Sequence, residues 1–439
     1  MSALVDLPMP VLPRMDRLVH LPVAVIGAGP VGLAAAAHLL ERGIEPVVFE
    51  AGETAGSAVL SWGHVRLFSP WEFALDAACV RLLERNGWKS PNPGALPTGA
   101  ELVAGYLAPL AELLAPHIRL GTRVRSVTRE GMDRTRSAGR ATTPFRLLVE
   151  ESGGRIADQS ARAVIDSSGT YLSPNPLGAN GLVPAGAAAV ADRLVPALPD
   201  VLGRDRDRFA GKHVLVVGAG HSAANTLLAL AALALEEPAT TLTWAIRTAL
   251  PVRVYGSSED ELSQRAALGS GLRELVLRGD IALIDNFEID SLAPAGEGVA
   301  VHGRRRGRPA EVLADVIVVA TGFRPDLDLL REIRLGLDEV IESPRALAPL
   351  IDPNLHSCGT VPPHGEAALR HPEPNFYLAG MKSYGRAPTF LLATGYEQVR
   401  SIAAALAGDR VAADQVRLTL PATGVCSSTT ESGGADCCA

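Results

Sequence analysis

Aromatic residues make up only 4% of this 439-residue chain, while glycine and proline number 43 and 32. That balance suits a turn-rich α/β protein better than an all-β sandwich. No apolar run approaches the ~18 residues of a membrane span. A basic excess is also missing: 41 Lys and Arg stand against 48 Asp and Glu, for a net charge of −7. Sequence-nonspecific nucleic-acid binding, which needs a basic face, is therefore not expected. The five cysteines show no framework spacing, and no CxxC accompanies the glycine motifs described below. The body of the chain thus offers no pair for an internal dithiol relay. Residues 1–22 include Asp6 and four prolines and lack a clean apolar stretch, so they do not read as a signal peptide. The expectation is a cytoplasmic protein. With 47% hydrophobic and 20% charged residues, the composition is that of a globular chain. At about 150 residues per domain the length allows three domains, or two with insertions.

What is present is a repeated strand–turn–helix pattern. VAVIG, from Val23, reads as a buried strand, GLAAAAHLLERG as a helix closed by Gly43, and EPVVFE as a second strand. Between them lies Gly27-Ala-Gly29-Pro30-Val-Gly32, with Glu50 ending the next strand. Strand, glycine turn, helix and acid together form the dinucleotide fingerprint. Gly27 permits the tight turn, Gly29 lets backbone approach a pyrophosphate, and Gly32 permits close helix–strand packing. Glu50 is placed to accept hydrogen bonds from an adenosine ribose. The pattern returns as Gly218-Ala-Gly220-His221-Ser222-Ala223, and its following strand ends at Arg247 rather than an acid. An arginine there attracts a ribose 2′-phosphate that a carboxylate would repel. The other reading is a solvated strand-end arginine. A buried strand ending Ala320-Thr321-Gly322-Phe323 follows, and Asp166-Ser-Ser-Gly169 echoes it earlier.

The remaining chain reads as a helix over 72–86, a capping-box helix from Thr98 to about Leu114, and antiparallel strands over 117–170. A Pro-, Gly- and Ala-rich stretch at 171–210 reads as a linker. An aromatic loop, Trp62-Gly-His64-Val-Arg66-Leu-Phe68-Ser-Pro-Trp71, follows the first fingerprint. Cys79 reads as a core residue. His356, Cys358, His364 and His371 have irregular spacing, which favours no metal site, and 303–308 reads as a solvated hairpin.

Two fingerprints with an ATG turn after the second resemble the two-dinucleotide-binding-domain flavoproteins over roughly residues 20–410. GHSA at 220–223 and ATGF at 320–323 look most like the flavin-containing and N-hydroxylating monooxygenases. The resemblance implies an α/β fold in which an FAD-binding Rossmann-like domain (1–205 and 341–420) is interrupted by an NADPH-binding one (206–340), with a flexible tail at 421–439. It implies FAD at Gly27, Gly29, Pro30, Gly32, Glu50, Gly169, Gly380 and Thr389. It implies NADPH at Gly218, Gly220, His221, Ser222, Ala223, Arg247, Thr321 and Gly322. A homodimer acting on a small molecule is also implied. In these flavoproteins a late strand ends in Gly-Asp, the acid holding the flavin side chain. Here Met381 follows Gly380. A helix beginning near Pro388-Thr389 is expected to aim its N-terminus at the flavin. Trp62 and His64 of the aromatic loop, with Lys382, Tyr384 and Arg386, are the candidates for facing flavin or substrate. The FxGxxxH signature of the monooxygenases is absent ahead of the second fingerprint.

The tail, PATGVCSSTTESGGADCCA from Pro421, carries Cys426, Cys437 and Cys438. Vicinal thiolates bind soft ions such as As(III) or Hg(II). Mercuric reductase similarly ends in a Cys-Cys pair, and the chain also resembles flavoproteins of bacterial arsenic-resistance operons. Three readings follow. One is an FAD- and NADPH-dependent monooxygenase-like enzyme acting on a small nucleophile or metalloid compound. A second is a thiol, disulfide or metalloid reductase using the tail thiols. The third is a non-enzymatic redox sensor that binds nucleotides.

Overall fold

A computed structural model describes residues 18–255, 263–352, 362–388 and 390–418. Buried β-branched runs build two parallel sheets. The first contains β1 (Val23–Ile26), β2 (Pro46–Phe49), β3 (Ile118–Arg119), β7 (Ala163–Asp166) and β16 (Phe376–Leu378), ordered β16-β7-β1-β2-β3. The second contains β8 (Leu194–Pro196), β9 (His213–Val217), β10 (Thr241–Ala245), β11 (Ala282–Ile284) and β15 (Val316–Val319), ordered β8-β15-β9-β10-β11. Each is a parallel sheet with its own apolar core, as expected where helices cover the faces.

The two units repeat one plan. Each opens strand–helix–strand, through α1 (Pro30–Glu41) in the first and α2 (His221–Glu236) in the second. Each then carries a three-stranded antiparallel sheet before its next parallel strand. In the first unit this is β4 (Thr122–Arg129), β5 (Phe145–Glu151) and β6 (Ile156–Ala161). In the second it is β12 (Phe287–Ala295), β13 (Gly298–Arg305) and β14 (Arg308–Ala314). The chain returns to the first sheet at β16, and α3 (Leu392–Leu406) then packs on α1.

Four sequence expectations change. Residues 163–166 are not part of the antiparallel set; they pair in parallel with β1 and β16 near the middle of the first sheet. The stretch expected as a linker supplies β8, an edge strand of the second sheet. The helix expected over 72–86 is two, Trp71–Ala74 and Ala77–Arg85, because Leu75 and Asp76 are extended. Asp76 caps the second piece by accepting from Ala78 and Cys79 N–H groups at 2.9 and 3.0 Å. The late helix begins at Leu392, with Leu391 extended before it. The Thr98–Glu101 capping box forms as expected, and Cys79 is buried in the first core.

Buried charge joins the antiparallel sheet to β16. Arg129 at the end of β4 and Arg140 both donate to Glu373, at 2.8 Å each, and all three are buried. His371 lies beside this network and accepts from the Gly336 N–H at 3.2 Å. Burial lowers its pKa from 6.5 to about 4. The native state thus holds His371 neutral where an unfolded chain would bind a proton. Its contribution is complete above pH 6.5 and is lost as pH falls towards 4, at about 1.4 kcal/mol per pH unit. Denaturant titrations across that window should show this loss. His371→Gln keeps an acceptor and has no proton to gain, so it should flatten the slope.

Candidate functional site

The first fingerprint folds as a cradle at the carboxyl edge of the first sheet. Gly27 adopts φ +96°, in the left-handed region that favours glycine. A Cβ on Gly32 would lie 1.9 Å from the Gly27 carbonyl oxygen, so α1 approaches the turn as closely as backbone allows. Gly29 caps α1 with no side chain on its N–H groups, and a Cβ there would meet nothing within 4 Å. Pro30 is the first helical residue, where its missing N–H costs nothing. Uncapped N–H groups facing open space form an anion-binding end. Glu50 accepts from the N–H groups of Ala28 and Gly52, both at 2.8 Å. Its carboxylate therefore stabilises the glycine turn itself. Each oxygen retains a second lone pair for a ribose hydroxyl.

The turn after β7 lies against this cradle. A Cβ on Gly27 would come 3.0 Å from the Ser168 Cα, and the Ser167 hydroxyl donates to the Ile26 carbonyl at 3.0 Å. Gly169 follows at φ +72° with open space around it.

The second fingerprint repeats the arrangement. Gly218 sits at φ +134°, and a Cβ on it would lie 2.0 Å from the Ala320 carbonyl oxygen. The Ala320-Thr321-Gly322 turn therefore abuts Gly218 as the Ser167-Ser168 turn abuts Gly27. Asn175 holds that turn: it accepts the Thr321 hydroxyl at its carbonyl (2.7 Å) and donates its N–H to the Gly322 carbonyl (2.9 Å). Gly220 caps α2 without a side-chain partner and with open space, and His221, Ser222 and Ala223 form the first turn. Arg247 is exposed just beyond β10, with one N–H donated to the Ala179 carbonyl at 3.0 Å. A guanidinium has five donors, so others remain for a phosphate. Arg305 and Arg306 of the hairpin expected to be solvated both bind Asp285, the former at 2.6 Å.

The aromatic loop joins the units. Trp62 packs over Gly99, where a Cβ would meet its ring at 2.9 Å, and Trp71 is buried in the first core. Phe68 crosses to the second unit and meets the His221 ring edge-on at a centroid distance of 5.4 Å. His64 is exposed.

The structure does not bring Lys382, Tyr384 and Arg386 together. Lys382 has no solvent-exposed surface and turns inward to Asp166 at 2.7 Å. Tyr384 is buried, which raises its pKa and keeps the phenol neutral. Arg386 is at the surface, 3.2 Å from Glu342. Of these candidates for facing flavin or substrate, Lys382 is turned away into the Asp166 pair, whereas Arg386 remains exposed. Met381, where an acid was expected, is partly exposed.

Sequence reasoning missed the residues that hold the Gly380 turn. Gln398 accepts from the Gly380 N–H at 2.8 Å and donates to the Ser383 hydroxyl at 2.9 Å. Its amide also meets His364 at 2.9 Å, and burial lowers the His364 pKa. A glutamine at the seventh position of the late helix, where a buried face was expected, was the available signal. No cluster of three metal-ligating side chains occurs among the described residues. Thr389, His356, Cys358, Cys426, Cys437 and Cys438 lie outside the described residues.

Two dinucleotide-type cradles, each at the carboxyl edge of a parallel sheet, give the chain a two-unit α/β fold. The sequence model of the family described as FAD dependent oxidoreductase matches residues 22–85, the opening β1–α1–β2 unit and the helices after it. A ferredoxin–NADP reductase of Salinispora tropica is 27% identical over 317 residues, 72% of this chain and 78% of that protein. Among solved structures, bacillithiol disulfide reductase from Bacillus cereus superposes with a TM-score of 0.65 at 18% identity, covering 88% of this chain and 99% of the other. An FAD-bound cadaverine monooxygenase of desferrioxamine biosynthesis from Erwinia amylovora gives 0.62 at 16% identity, covering 92% and 98%. These structures share the fold. No described helix is long and apolar enough to cross a membrane.

Proposed function

We propose that the chain is an FAD-dependent NADPH oxidoreductase that oxygenates a small nucleophile. The observation that carries this reading is the pair of open, uncapped helix N-termini at Gly29 and Gly220, linked by the Phe68–His221 contact. The first cradle, with Glu50 and Gly169, would hold FAD; the second, with Arg247 and the Thr321-Gly322 turn, would hold NADPH. FAD, when bound, accepts a hydride and returns electrons singly or in pairs. The residues bind and orient: α1 stabilises pyrophosphate charge, Glu50 orients the ribose, and Arg247 selects the phosphorylated nicotinamide. The aromatic loop excludes water between the cradles.

The alternative outlet for the electrons is an external acceptor, a disulfide or a partner protein. The relatives named as ferredoxin and bacillithiol disulfide reductases favour it. Cys79 is buried, with its thiol pKa raised well above the ordinary value by burial. Any thiol chemistry therefore belongs to Cys358, to the tail, to a substrate or to a partner. The tail reading assigns As(III) or Hg(II) capture, or thiol-dependent turnover, to Cys437 and Cys438 with help from Cys426.

Oxygen and product accounting separates these readings. Oxygenation predicts one oxygenated product per NADPH consumed, with oxidation accelerated by the right nucleophile. External electron transfer predicts anaerobic, NADPH-dependent reduction of the acceptor instead. The double variant Cys437→Ser, Cys438→Ser should retain FAD and NADPH oxidation with artificial acceptors while losing metalloid binding. If truncation after Leu420 changes neither metalloid binding nor any turnover, the tail reading fails.

A further inference from the structure

We propose that the buried Lys382–Asp166 ion pair is the positioning element of the flavin cradle, fixing the gap between the two turns that flank the N-terminus of α1. This rests on the reading of that cradle as an FAD site.

Asp166 ends β7, and Lys382 lies in the turn after β16; neither side chain has any exposed surface. The Lys382 ammonium donates to Asp166 Oδ2 at 2.7 Å and to the Ser168 hydroxyl at 3.0 Å. Ser168 in turn donates both its hydroxyl and its N–H to Asp166 Oδ1, at 2.7 and 3.1 Å. The backbones are coupled as well, because the Ala379 N–H donates to the Asp166 carbonyl at 2.9 Å.

Both joined turns border the fingerprint. On one side Ser168 abuts Gly27. On the other Gly380, at φ +67°, packs on Val31 in the first turn of α1, where a Cβ would come within 3.2 Å. The ion pair therefore spans the two turns beside the α1 N-terminus. Glycines at 169, 380 and 385, all at positive φ, make these turns conformationally permissive. A large apolar side chain in the same place would pack without fixing their spacing. A charged pair with matched donors and acceptors has one good geometry, and a misplaced partner leaves a buried charge unsatisfied. The position also explains why Lys382 offers no charge to a ligand. With Met381 beside it, the turn presents backbone and an apolar side chain, so its placement decides how well it meets the flavin.

Three variants test this: Lys382→Met, Asp166→Asn, and the two combined. Each is measured for thermal midpoint without FAD, for FAD dissociation constant and for the shape of the bound flavin's visible absorption band. Each single variant strands one buried charge and should lose both stability and FAD affinity. The double variant removes both charges, and asparagine keeps an acceptor for Ser168, so it should regain most of the midpoint. Its FAD affinity should remain roughly tenfold or more weaker than wild type, with an altered band shape. A folded double variant with wild-type affinity and band shape overturns the proposal and leaves the pair as a brace of the fold alone. If the wild type itself neither retains nor takes up FAD, the reading of the cradle fails first, which is a distinguishable result.

Discussion

A Gly29→Val protein is expected to fold and to be purified colourless. Gly29 is extended, at φ −78° and ψ −176°, a conformation that valine adopts without strain. A Cβ there meets no protein atom within 4 Å. The loss of a preferred N-cap residue should cost about 1 kcal/mol of stability. The space that valine fills is the space a pyrophosphate needs beside the α1 N–H groups. FAD affinity should therefore fall at least 100-fold, about 3 kcal/mol, measured by flavin fluorescence on adding FAD to the apoprotein. Gly32→Ala is the contrasting control. Its Cβ would meet the Gly27 carbonyl oxygen at 1.9 Å, so it should damage the fold as well as the site. A Gly29→Val protein that retains FAD at wild-type affinity would remove the first cradle from the account.

The second large effect falls on coenzyme choice. Arg247→Ala should lower kcat/KM for NADPH by roughly 10- to 150-fold and leave that for NADH nearly unchanged. The physical reason is a charge-assisted hydrogen bond, worth about 1.5–3 kcal/mol, to a phosphate that NADH lacks. Arg247 is exposed and makes a backbone contact with Ala179, so its removal leaves no buried charge behind. Steady-state kinetics with both nucleotides decides the matter. Equal losses for the two would mean that the side chain positions the 179 segment rather than reading the phosphate.

Both cradles were legible in the sequence because their chemistry is local. A glycine at a tight turn, a second with open space and a small residue at close approach occur within six positions, and the strand and helix around them carry clear periodicities. The Thr98–Glu101 capping box was legible for the same reason. What escaped was set by distant partners. Lys382 reads as a loop charge available to flavin or substrate until Asp166, 216 positions away, is brought beside it. The run at 163–165 is apolar like its neighbours in the sheet, and nothing within it says which sheet takes it. β8 lies in a Pro- and Ala-rich stretch with weak strand propensity; pairing with β15 supplies what its own residues do not. Pro388 suggested a helix start, yet the extended backbone of Leu391 delays it to Leu392.

Anaerobic titration of the purified, FAD-loaded protein with NADPH tests the central claim most directly. The account predicts a yellow protein whose visible flavin absorbance bleaches with a single equivalent of NADPH, and far more slowly with NADH. A protein that cannot be loaded with FAD, or one whose bound flavin stays oxidised under excess NADPH, would contradict it.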